Sequence, residues 1–182
     1  MSSHHVVRDH QEATILLLHP PVKFETLGEL LEWGGALWGE SETLPWLVSH
    51  RIRPDGILSH LSDEQIGTYF PDVTVLRCEM ELSSRIQLIA DKTGNPRVMI
   101  VSSDCVARIQ TLIKIKFFPQ EVFFVDDVFR YFFCRGEKLL QIQKNGSQTD
   151  VSLMEQPFFW QSLRHVFSVD QTAMYLVRIL WQ

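Results

Sequence analysis

Cysteine is scarce in this chain, and the few present form no pattern. Cys78, Cys105 and Cys134 are odd in number and far apart, with no Cys-x-x-Cys pair. That argues against a zinc site or a disulfide framework and leaves reduced, buried thiols. Long apolar runs are missing as well. Nothing approaches the ~18 consecutive apolar residues of a membrane helix, and Ile15–Leu18 is too short for a signal-peptide core. The expectation is a cytoplasmic protein without a membrane partner. Positive charge is not in excess: 17 Lys and Arg stand against 22 Asp and Glu, a formal net charge of −5. Such a chain does not coat nucleic acid by charge alone, although a local basic groove stays open. There is no internal repeat and no low-complexity tract. The seven histidines are scattered and form no His-x-x-x-His pair. Ser102-Ser103 lacks the Gly-x-Ser-x-Gly setting of a hydrolase nucleophile.

What the chain does have is apolar bulk. Apolar residues make up 45% of the 182, with 12 Phe and 5 Trp, enough for the core of one domain. "ATILLLHPP" reads as a short strand stopped by Pro20-Pro21. Phe24, Leu27 and Leu31 have helical spacing, and Gly34-Gly35 weaken or end that helix. Strands are expected over 51–60, 72–81 and 97–102 as neighbours in one sheet, with a helix over 82–93 joining the last two. Asp104 caps a further helix through about Phe118, and "EVFFVDD" is a buried-type strand. "FRYFFCRGEKLLQIQ" reads as a hairpin turning at 134–137. "PFFWQSLRHVF" and "DQTAMYLVRILWQ" read as short covering helices. The fold class is therefore α/β (α+β), a mixed sheet flanked by helices. Residues 1–23 read as an N-terminal arm, 24–128 as the core, and 129–182 as a C-terminal extension of the same domain.

The stretches that draw attention are "RIRPDGIL", residues 51–58, and "VTVLRCEMELSSRI", residues 73–86. Asp55 punctuates one strand, and Glu79 and Glu81 share a face at the end of the next, because strand side chains alternate. Were these strands antiparallel neighbours, Asp55 and Glu79 would meet. Two carboxylates make a hard-oxygen site for Mg²⁺ or Mn²⁺, and such a metal can activate water at a phosphodiester. Arg51, Arg53, Arg77 and Arg85 lie close by in sequence and suit a phosphate-bearing ligand. His50 and His60 flank the Asp55 strand. Trp33, Trp38 and Trp46 could stack on bases, but core packing explains them more cheaply.

"RPDGIL", "CEME", the following helix and the short buried strand resemble the PD-(D/E)XK nuclease superfamily, most of all its branch in replication-relaxation and plasmid-mobilisation proteins of bacteria. The resemblance covers about residues 24–116. It implies a restriction-endonuclease-like core, Asp55 and Glu79 as ligands of Mg²⁺ or Mn²⁺, and a catalytic group of Asp55, Glu79, Glu81 and Arg85. Arg51, Arg53 and Arg77 would then face DNA. Glu81 stands where the superfamily has lysine. Arginine at 85 restores the charge but does not serve as a base, so DNA binding is expected more readily than cleavage. The expected setting is a bacterial mobile element. Two alternatives stay open: a catalytically silent interaction domain meeting a protein partner through its aromatic C-terminal region, and a small regulatory or immunity-type binding protein. "VFFVDDV" also recommends itself for phosphate chemistry by its paired acids. It lacks the Asp-x-Asp-x-Thr of haloacid-dehalogenase-like phosphatases, and bulky "FRYFF" stands where a small phosphate loop would be needed.

Overall fold

Thr14–Leu17 (β1) is buried at every position. A strand apolar on both faces belongs in the interior of a sheet covered on both sides, and that is where the computed structural model places it. The structure describes residues 12–32, 35–61, 63–78, 81–115, 121–135, 149–153, 161–162 and 174–180.

After β1 come the helix Phe24–Leu31 (α1), the strand Leu37–Glu40 (β2) and the helix Leu44–Ser49 (α2). Next are Gly56–Ser59 (β3), the short helix Asp63–Gly67 (α3) and Thr74–Arg77 (β4). The helix Leu82–Thr93 (α4) leads to Val98–Val101 (β5), and Cys105–Lys114 (α5) leads to Val122–Val125 (β6). Four further strands follow: Phe129–Arg135 (β7), Thr149–Leu153 (β8), Gln161–Ser162 (β9) and Met174–Leu180 (β10). Among the described residues these make one sheet in the order β4-β3-β2-β1-β5-β6-β7-β10-β8-β9. From β4 to β6 every pair is parallel; from β7 onward every pair is antiparallel.

Chirality explains where the helices lie. The chain steps from β1 outward to β4, then returns past β1 to β5 and β6. Right-handed crossovers place helices on one face during the outward walk and on the other after the return. Accordingly Leu27, Leu30, Leu44, Leu47 and Ile66, from α1, α2 and α3, pack on Ile15, Leu17, Leu37 and Ile57. Ile86, Ile89, Ile109 and Leu112, from α4 and α5, pack on Leu16, Trp38, Leu58 and Ile100. The odd and even residues of β1 thus serve two separate cores.

The expected α/β class with a mixed sheet is what forms, and α4 matches the expected helix. Several local expectations are corrected. β3 and β4 are neighbours but parallel, joined by α3, so they are no hairpin. β5 is not beside β4; β3, β2 and β1 lie between them. β2 and α2 form in residues 37–49, where no element was expected after Gly34-Gly35. Residues 174–180, expected to be helical, are a strand instead. Met174, Leu176 and Leu180 fall on one face at period two, whereas only Leu176 and Leu180 also share a helical face. The expected turn at 134–137 extends beyond the described residues at its far side.

Candidate functional site

Where a parallel sheet reverses its winding direction, the loops on either side diverge and leave a crevice at the carboxyl ends of the strands. Here the reversal lies between β1 and β5. The crevice is framed by His19-Pro20 after β1, Glu40 at the end of β2, and Ser102–Asp104 after β5.

Glu40 is the one charged side chain among the described residues that is buried, at 5% exposure. It lies two residues after Trp38 and therefore on the α4 side of the sheet. Its Oε2 accepts the backbone N–H of His19 at 3.1 Å, and its Oε1 accepts from a guanidinium nitrogen of Arg85 on α4. A carboxylate this buried is tolerable only when so paired. Arg108 of α5 closes the other side. Its Nε donates to Asp104 Oδ1 at 3.2 Å, and an Nη donates to the His19 carbonyl. The peptide units of His19 are therefore held from one side by Glu40 and from the other by Arg108. Pro20 is held likewise: its carbonyl accepts Ser103 N at 2.9 Å and Ser102 Oγ at 3.1 Å.

Arg85 and Arg108 also line a cleft of about 230 Å³ between α4 and α5. Glu81 and Leu82 stand with Arg85 on one wall, and Thr111, Leu112 and Ile115 stand with Arg108 on the other. Two guanidinium groups from different helices, each already paired with a carboxylate of the protein, thus line one cleft. Arginine's planar fork binds carboxylate or phosphate oxygens in pairs.

The other acids at these strand ends serve the protein. Asp126, after β6, accepts Val128 N and Phe129 N at 2.7 Å and the Tyr131 hydroxyl at 2.6 Å. Asp127 accepts Lys23 N and Thr26 Oγ1, both at 2.8 Å, and so ties the start of α1 to the sheet. Next to Asp126, burial pushes the Cys105 thiol well above its ordinary range, and burial with the Asp126 hydrogen bond does the same to the Tyr131 phenol.

The residues singled out from sequence do not converge. Asp55 precedes β3, at the amino end of the sheet. Its Oδ2 accepts Leu37 N at 2.7 Å while its own N–H donates to Leu37 O at 2.8 Å. The aspartate thus adds a rung to the β2–β3 ladder and faces backbone. Glu81 follows β4 at the opposite end, a full strand of about 13 Å away. Glu79 lies outside the described residues. Asp55 and Glu81 therefore cannot share a cation, and the described residues contain no group of three His, Cys, Asp or Glu able to hold one. The arginines divide too. Arg53 pairs with Asp72 at 3.8 Å on the exposed surface, and Arg51, at φ 57°, follows α2. Arg77 donates to the Leu61 carbonyl at 3.4 Å near the other end of the sheet. Of these arginines Arg85 alone lines the cleft, beside Glu81 of the same named set. Glu40, Arg108 and the turn at His19 were not singled out, although the i, i+4 spacing of Asp104 and Arg108 after an apolar strand is a readable signal.

The architecture is that of an open, mostly parallel α/β sheet with an antiparallel extension. Solved structures share it over nearly the whole chain. Thiamin pyrophosphokinase from Geobacillus thermodenitrificans is similar with a TM-score of 0.58 at 12% identity, over 93% of this chain and 97% of that one. The Bacillus subtilis thiamine pyrophosphokinase gives 0.56 at 11%, over 92% and 98%. The yeast enzyme gives 0.54 at 9%, over 97% and 88%. At these identities the likeness is one of fold. No protein-family model matches the sequence, and no curated protein matches it. The expected membership of the PD-(D/E)XK nucleases is overturned by this likeness. The readings drawn from it fall with it: phosphodiester cleavage, DNA binding, and a mobile-element or plasmid-mobilisation role. Pro-Asp-Gly before a strand and Glu-x-Glu before a helix arise as readily in a parallel sheet, and residue order alone does not distinguish the two. No helix among the described residues is long and apolar enough to cross a membrane.

Proposed function

We propose that this protein binds a diphosphate-bearing small molecule at the β1/β5 crevice, with Arg85 and Arg108 taking the phosphates. The observation that carries the reading is the approach of these two arginines to the turn at His19, Arg108 directly and Arg85 through Glu40, at the topological switch point. The solved proteins of like fold that are named thiamine pyrophosphokinase favour the same ligand chemistry. Asp104, Asp126 and Asp127 are occupied by protein donors, so the reading begins with binding. Pyrophosphoryl transfer is the activity it suggests. The arginines would neutralise phosphate charge, the usual protein contribution to such a transfer.

The test is calorimetric and thermal titration with inorganic diphosphate, ATP and thiamine diphosphate, with and without Mg²⁺. Ligand at a hundredfold over Kd adds about 2.7 kcal/mol of stability, a rise in Tm of roughly 5–10 °C for a chain of this size. Arg85→Ala and Arg108→Ala should each weaken binding by tenfold or more, as loss of a charge-assisted contact of roughly 1.5–3 kcal/mol requires. Release of AMP from ATP in the presence of thiamine would establish the transfer. No thermal shift with any of the three ligands would refute the proposal.

A further inference from the structure

The two lips of the crevice at the switch point are joined rather than parted. The lip after β1 is His19-Pro20-Pro21; the lip after β5 is Ser102–Asp104, with Arg108 one turn into α5. Hydrogen bonds between them run in one direction. The Pro20 carbonyl accepts Ser103 N at 2.9 Å and lies 3.1 and 3.3 Å from the Ser102 and Ser103 hydroxyls. The His19 carbonyl accepts from Arg108. Two successive prolines carry no N–H, and the N–H of His19 is turned to Glu40. The β1 lip thus meets the β5 lip purely as an acceptor. An ionised phosphate is also an acceptor, and a stronger one because it is charged. The carbonyls of His19 and Pro20 therefore hold the donors that an anion in the crevice would use.

The same turn is suited to letting go. His19 and Pro20 are exposed, while the chain on either side is fixed. Leu18 is fully buried and its N–H donates to Val101 O at 2.9 Å. Val22 is buried, and Lys23 N donates to Asp127 Oδ1 at 2.8 Å. Exposed backbone bonds with little apolar burial beneath them open at the least cost. We infer that His19-Pro20-Pro21 is an autoinhibitory strap: it occupies Arg108 and the Ser103 N–H in the empty protein, and an anion entering the crevice displaces it. The inference rests on the diphosphate reading above and adds how that site is regulated. The open strap is the minor state, so the apparent affinity is reduced by its fraction. Loosening the strap without touching its donors should tighten binding, and bound anion should leave the strap freer than before.

The experiment loosens the far anchor in the full chain. Asp127→Ala removes the acceptor of Lys23 N and Thr26 Oγ1. Asp127→Asn removes the same charge but keeps an acceptor oxygen, and so controls for electrostatics. By calorimetry with inorganic diphosphate, the Ala variant should bind several-fold more tightly than the Asn variant. Before any ligand is added, the Ser103 amide should exchange its hydrogen faster in the Ala variant than in wild type. In wild type, saturating diphosphate should speed exchange of the His19 amide, the reverse of the protection that ligands ordinarily confer. This last measurement needs no variant and decides the matter even where Asp127→Ala fails to fold. Equal affinity in the two variants, or a His19 amide unchanged or protected when diphosphate binds, would overturn the inference and leave the diphosphate reading standing. If diphosphate binds neither wild type nor either variant, both fall together.

Discussion

Glu40 holds the arrangement together. It ends β2, accepts from the loop after β1 and from α4, and is nearly inaccessible. A buried ion pair of this kind adds little net stability over an apolar substitute, but removing one partner is expensive. Its value here is positional: it fixes where the Arg85 guanidinium points. Glu40→Gln keeps the shape and removes the charge. The expected cost is about 1–3 kcal/mol, the range for a hydrogen bond to a charged group, read as a lower urea midpoint. The double mutant with Arg85→Ala should be clearly less destabilised than the sum of the two single changes, since the two side chains act through one contact. Full additivity would show that the pair does not couple.

At the scale of elements, β2 and β3 meet where a tryptophan lies flat over a glycine. A Cβ on Gly56 would come within 2.3 Å of the Trp38 ring. Gly56→Ala therefore forces a shift of the ring or the strand, with an expected loss of roughly 1–3 kcal/mol for overpacking. Trp38→Leu in the same chain should relieve part of it, and thermal denaturation of the single and double variants would show this. This contact answers the question that Arg-Pro-Asp-Gly poses in sequence. Asp55 bonds the neighbouring strand and Gly56 makes room for Trp38, so both residues are structural. The strands and helices themselves were mostly legible, because Leu82–Thr93 and Cys105–Lys114 carry clear helical periodicity and Val98–Val101 is an unbroken apolar run. Pairing was not. A four-residue strand such as Thr74–Arg77 carries no mark that says parallel or antiparallel, and that single ambiguity placed the carboxylates after β4 at the Asp55 end of the sheet, whereas Glu81 lies at the other. The site was missed for a related reason. Glu40 and Arg108 lie 68 positions apart in sequence, and only the return of the chain past β1 brings them to one crevice.

At the scale of the whole molecule, the sheet encloses ionisable groups that must stay neutral. Burial is the first cause for both Cys105 and Tyr131, and the carboxylate of Asp126 reinforces it. Both hold their protons in the folded state at pH values where an unfolded thiol, near 8.5, and an unfolded phenol, near 10, have begun to lose theirs. Above those values the folded state binds more protons than the unfolded state, so stability falls as pH rises. Their contribution is complete below about pH 8.5 and erodes through the alkaline range. Urea midpoints measured from pH 7 to 10.5 should decline. Tyr131→Phe should flatten the decline above pH 10 while lowering stability throughout by loss of the Asp126 bond. A midpoint independent of pH over that range would contradict the assignment.

The central place of β1 has a consequence for how the chain is made. Thr14–Leu17 is made before every other strand of this sheet, and β2 can pair with one of its edges soon afterwards. Its other edge waits for Val98–Val101. At about 5–20 residues per second, a nascent chain carries that unpaired edge for roughly 4–17 s. During this interval the outward-wound half of the sheet has one finished flank and one unfinished flank. The residues that later frame the crevice are then the rim of an exposed strand. The reversal of winding that opens the crevice in the finished protein is thus also what leaves one edge of β1 unpaired during synthesis.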